Sequence, residues 1–62
     1  MKTTIQVSYD EKASLRLSRL IYKDKSGRFY QRYGDGWLYC GFSPETPQHA
    51  TEANVVVVEK FV

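Results

Sequence analysis

One cysteine, one histidine and one tryptophan stand in 62 residues, and each scarcity closes off a kind of chemistry. With Cys40 alone, no intrachain disulfide can staple the fold. A zinc site needs several Cys or His ligands, and only Cys40 and His49 exist. No apolar run is long enough to span a bilayer, and the opening MKTTIQVSYDEK lacks the apolar core of a signal peptide. Gly34-Asp35-Gly36 has no strand–loop–helix context, so it reads as a turn rather than a phosphate cradle. There are no internal repeats, low-complexity tracts or linkers. The expectation is one small domain over residues 1–62, with no catalytic set, no metal, no cofactor and no evident small-molecule substrate. An unpaired thiol fits a reducing compartment, so the expected location is the cytoplasm. The chain begins with Met and carries no tag, which reads as a complete short gene product.

A domain of this length buries only about 60% of the surface its unfolded chain exposes. Small domains make up that shortfall with disulfides, a metal or a partner subunit. With the first two set aside, self-association or docking on another chain remains.

What the sequence does have is aromatic residues set between turns. Leu20–Phe42 holds two turn signals, Asp24-Lys25-Ser26-Gly27 and Gly34-Asp35-Gly36. Between them lie segments rich in Tyr, Phe and Trp, which suit a pleated surface. The pattern predicts an antiparallel meander over Leu15–Lys23, Arg28–Tyr33 and Trp37–Phe42. A three-residue loop at Gly34–Gly36 would pair Tyr33 with Trp37. One face would then carry Phe29, Gln31, Tyr33, Trp37 and Tyr39, and the other Arg28, Tyr30, Arg32, Leu38, Cys40 and Phe42. A two-residue turn would shift this pairing by one.

Upstream, Ile5, Val7 and Tyr9 alternate with Thr4, Gln6 and Ser8, as in a strand with one wet face. Ala13–Lys23 reads as a strand bulged near Arg19. A helix capped by Asp10 competes for it, aligning Ala13, Leu17, Leu20 and Ile21 but leaving Leu15 and Tyr22 on the wrong face. Downstream, Thr46-Pro47 reads as an N-cap followed by proline at the first helical position, predicting a short helical turn over Pro47–Ala53 stopped by Asn54. Val55–Val58 does not alternate and continues through Glu59-Lys60-Phe61-Val62, which predicts a strand covered on both faces. The expected fold is mainly β, or α+β. It would have about five short antiparallel strands in a small SH3-like barrel or curled sheet, with one short helical turn before the last strand.

Charge is two-sided along the chain. Lys12, Arg16, Arg19, Lys23, Lys25, Arg28 and Arg32 face a single acid, Asp24, in the segment from 12 to 32, while acids dominate the rest; the net charge is +2. Three readings of function follow. Arg and aromatic side chains are the types enriched at binding hot spots, and Tyr22, Phe29, Tyr30, Tyr33, Trp37, Tyr39 and Phe42 crowd one meander. The leading expectation is a non-catalytic module that binds another protein or itself as a homodimer. Its contacts would come from Arg28, Tyr30, Arg32 and Phe42, with Trp37, Phe29 and Tyr33 on the core side. In a bacteriophage or other mobile element, such a module would inhibit or redirect a host macromolecular machine. The second reading is nucleic-acid binding, since Arg28-Phe29-Tyr30-Gln31-Arg32-Tyr33 interleaves cations with rings. A net charge of only +2 weighs against it. The third is a homodimeric structural protein. A Cys40–His49 nucleophile–base pair is set aside, because Cys40 sits among strand hydrophobes and His49 in a polar connector.

Overall fold

A computed structural model describes residues 3–61; Met1, Lys2 and Val62, the last of which closes the predicted valine strand, lie outside them. Strand β1 (Thr4–Tyr9) is followed by helix α1 (Glu11–Leu17), then β2 (Ile21–Asp24), β3 (Phe29–Tyr33), β4 (Gly36–Gly41), β5 (His49–Thr51) and β6 (Asn54–Val57). The strands form one curled sheet in the order β5-β4-β3-β2-β1-β6, a half-barrel with a single short helix. The mainly β fold is as expected. Its details differ in four places, each for a physical reason.

The first is the segment after Asp10, where the helix wins. The Asp10 carboxylate accepts a hydrogen bond from the Ala13 N–H at 3.1 Å, satisfying one of the orphan donors of the first turn. Glu11 in the first turn and Arg16 in the last complement the helix dipole. None of residues 11–17 is β-branched, so nothing local favours a strand. Ser18 ends the helix in the left-handed conformation (φ 54°), and of the predicted Leu15–Lys23 strand only Ile21–Lys23 pairs, in a strand that runs on to Asp24.

The second difference is the register of the central hairpin. Tyr33 pairs with Gly36 and Arg32 with Trp37 around a two-residue turn, Gly34-Asp35. Gly34 supplies the positive φ (57°) that a tight hairpin requires. This turn transfers Trp37 to the face of Tyr30 and Arg32, away from Phe29, Gln31 and Tyr33.

The third is the connector. No helix forms over 47–53; the backbone instead pairs with β4, beginning with the Gln48 N–H donating to the Tyr39 carbonyl at 2.8 Å. A helix of one or two turns is not stable alone, whereas an open sheet edge offers hydrogen bonds at once.

The fourth is the last strand. β6 lies parallel to β1, whereas an antiparallel arrangement was expected. Its valines are not covered on both faces: Val55 is half-buried, but Val56 and Val57 are 39% and 52% exposed.

Cross-strand partners share a face, so the register sorts the core. Tyr9, Tyr22, Tyr30, Arg32, Trp37 and Tyr39 lie on one side, where Val7, Tyr30 and Trp37 are buried with Ile5, Tyr22, Tyr39 and Val55 packed against them. The rings meet edge-on, Tyr9 with Tyr22 at 5.4 Å and Tyr22 with Trp37 at 5.0 Å between centroids. The other side carries Ile21, Phe29, Gln31, Leu38 and Cys40, and α1 packs over it through the buried Ala13 and Ser14.

Candidate functional site

The four residues expected to contact a partner do not form one patch. Tyr30 is buried in the core, 4% exposed, and is corrected from a contact residue to a packing residue. It pairs with Tyr22 and Tyr39 across its two neighbouring strands, and both partners have rings to pack against it. Arg32 is exposed and lays its guanidinium over the Trp37 ring at 5.2 Å. Arg28 and Phe42 come together elsewhere, with the guanidinium 5.6 Å from the ring centroid and Phe42 69% exposed.

The position of Phe42 follows from an irregularity that ends β4. Phe29 pairs with Gly41 while Tyr30 pairs with Tyr39, so the ladder skips a residue and a bulge forms. Gly41 takes a positive φ of 67°, and a Cβ there would lie 3.2 Å from the Gln48 side-chain nitrogen. The strand end is thereby turned, and Phe42 lies out over the Asp24–Gly27 turn, where its ring edge approaches Gly27.

Between this corner and α1 runs a groove of about 310 Å³. Phe29 and Ala13 line its apolar part, Lys12 and Arg16 border it on the helix, and Phe42 with the buried Pro44 forms the opposite wall. Arg16 and Glu45 make an ion pair that ties the helix to the loop after β4. The Glu45 carboxyl is held below its ordinary value, first by a hydrogen bond from its own backbone N–H and then by Arg16. Lys23 sits 5.9 Å from the Phe29 ring centroid, and Arg28 covers Phe42, so two more cations stand beside the aromatic lining. The charged lining of the groove is balanced, Lys12 and Arg16 against Asp10 and Glu45, and Lys23 and Arg28 add positive charge beside its aromatic rings. Sequence reasoning found Arg28 and Phe42 but not Lys12, Arg16 or Pro44. The signal for the helical pair was the Asp10 cap, which sets both on α1.

The remaining chemistry candidates separate. His49 pairs with Tyr39 and stacks near it at 5.3 Å, whereas Cys40, the next residue, points to the opposite face. Cys40 is fully buried, and that burial raises its thiol pKa despite a lowering influence from Arg19. A protonated thiol turned away from the imidazole is not an activated nucleophile. No group of three or more His, Cys, Asp or Glu side chains is placed to hold a metal among the described residues. No helix among them is long and apolar enough to cross a membrane. Compared with protein-family models, curated proteins and solved structures, the chain matches none of them.

Proposed function

We propose that this chain is a non-catalytic module that binds another protein through the groove between α1 and the β3–β4 corner. Phe42 is the apolar anchor, Arg28 lies over its ring, and Lys12 and Lys23 add charge suited to an acidic segment of the partner, while Arg16 is engaged by Glu45. The observation that carries the reading is Phe42 itself, a large ring left 69% exposed beneath a guanidinium at the wall of an apolar groove. An exposed aromatic beside arginine is the usual composition of an interface hot spot. Such a module in a mobile genetic element would act by occupying a surface on a larger host assembly.

The nucleic-acid reading has less support. Of the interleaved segment, Tyr30 is buried, Trp37 is covered by Arg32, and Phe29 and Tyr33 lie on the face opposite Tyr30 and Arg32. That arrangement offers no continuous row of rings on which successive bases could stack.

The test is capture from the native cell with nuclease-treated extract, comparing the wild-type chain with Phe42→Ala and Arg28→Glu. The expected outcome is one defined protein retained by the wild type and lost, by tenfold or more, with either variant. Retention that disappears on nuclease treatment, or that ignores both substitutions, would overturn the reading.

A further inference from the structure

The tip of the central hairpin carries chemistry that the binding groove does not use. Asp35 and Gly36 are adjacent there and both exposed. The Gly36 nitrogen can close a five-membered ring onto the Asp35 side-chain carboxyl, and glycine adds no side chain to hinder the closure. The tip has room for that ring. A Cβ on Gly34 would meet nothing within 4 Å, and one on Gly36 only the Tyr33 carbonyl oxygen at 4.0 Å. The chain has three aspartates, and the fold treats them differently. Asp10 is held by the Ala13 N–H and precedes Glu11. The Asp24 carboxylate accepts from the Ser26 N–H at 2.8 Å and the Arg28 N–H at 3.0 Å, and precedes Lys25. Among the described residues, none forms a hydrogen bond or ion pair with the Asp35 carboxylate. Tyr33 and Gly36 are the last pair of their ladder, and terminal pairs open most readily, which frees the Gly36 nitrogen to attack.

We infer that Asp35 is a site of spontaneous isomerisation, at which the chain converts to L-isoaspartate and loses the register that buries Trp37. The Gly36 nitrogen bonds to Asp35 Cγ, while the acid's hydroxyl and the amide proton depart as water, leaving a succinimide. Water then opens the ring at either carbonyl. Opening at Cγ restores aspartate. Opening at the α-carbonyl leaves the backbone running through Cβ and Cγ, with the former main-chain carboxyl as the side group. The water lost is regained, so the mass is unchanged and nothing is oxidised or reduced. The loop is now one backbone atom longer. A hairpin's register follows its loop, and this two-residue loop is what sets Arg32 opposite Trp37. Trp37 belongs to the buried core with Val7 and Tyr30, so a change at the exposed tip reaches the interior.

The test is incubation of the intact chain in neutral buffer at body temperature, then proteolysis and electron-transfer fragmentation, which distinguishes isoaspartate from aspartate at each position. The expected result is isoaspartate accumulating at Asp35 over weeks, with at least tenfold less at Asp10 and Asp24 in the same digest. Asp35→Glu, which would need a six-membered ring, is expected to abolish the reaction. Gly36→Ala is expected to slow it about tenfold, and the fold admits the methyl, since Gly36 has open space and no positive φ. The isomerised chain, separated by chromatography, is expected to unfold at a lower urea concentration than the unmodified one. Phe42→Ala is expected to isomerise at the wild-type rate, which separates this inference from the binding groove. No isoaspartate at Asp35, equal amounts at Asp10 or Asp24, or an isomerised chain as stable as the original would overturn it.

Discussion

The Ser14 hydroxyl holds both backbone groups of Ile21. It donates to the Ile21 carbonyl at 3.0 Å and accepts from the Ile21 N–H at 2.9 Å, while itself only 4% exposed. One buried side chain thus joins α1 to the first residue of β2 and fixes the helical wall of the groove.

Ser14→Ala is therefore expected to cost more than a surface substitution. The Ile21 carbonyl keeps its bond from the Asp10 N–H, but the Ile21 N–H loses the Ser14 hydroxyl as its acceptor. A buried donor left unpaired costs about 1–3 kcal/mol. Urea denaturation of the variant should show a midpoint lowered accordingly with an unchanged slope. A loss below about 0.5 kcal/mol would mean that the hydroxyl is not what fastens the helix.

Ser18 presents the opposite case, a residue whose replacement should stabilise. It holds φ at 54°, where a Cβ is sterically unfavourable, and ends the helix by donating its N–H to the Ser14 carbonyl. Glycine adopts that conformation without the penalty, so Ser18→Gly is expected to raise stability by about 1 kcal/mol. Thermal unfolding would register this as a rise of several degrees in a domain of this size.

Alkaline pH should destabilise the fold in a way that two variants can apportion. Burial raises the Cys40 thiol above its ordinary value of 9.0. Burial, then the neighbouring Asp24 charge, raises the Tyr30 phenol above 10.0. Well below pH 9 both groups are protonated whether the chain is folded or not. Above it the unfolded chain releases protons that the folded chain keeps, so stability falls as pH rises through those values. Urea midpoints measured from pH 7.5 to 11 should decline above pH 9. Cys40→Ala should flatten the first part of that decline and Tyr30→Phe the part above pH 10, whatever either variant does at neutral pH.

Much of the architecture was legible because periodicity reports it directly. Ile5, Val7 and Tyr9 alternate and form a strand; the two glycine-bearing turns lie where the sequence sets them. What escaped reading depended on competitions that local pattern does not settle. Leu15 and Tyr22 argued against a helix, yet the Asp10 cap and the absence of β-branching decided for one, with Leu15 left exposed. A single residue in the hairpin loop determined whether Trp37 joined Tyr30 or Phe29, since one step of register exchanges the faces of a strand. The Arg28–Phe42 contact was half visible: both residues were singled out, but the bulge at Gly41 that brings them together depends on a pairing across strands. The proline connector misled because its cap-like Thr46-Pro47 describes only local preference, and the free edge of β4 outweighed it.

The most direct test of the binding groove is a photo-crosslinking amino acid introduced in place of Phe42, with a second chain carrying it in place of Tyr33 at the far hairpin tip, where the ring is similarly exposed. Irradiated in the native cell, the first chain should form an adduct with one defined protein, insensitive to nuclease, and the second should not. An adduct at Tyr33 but not at Phe42, or one made of nucleic acid, would contradict the account.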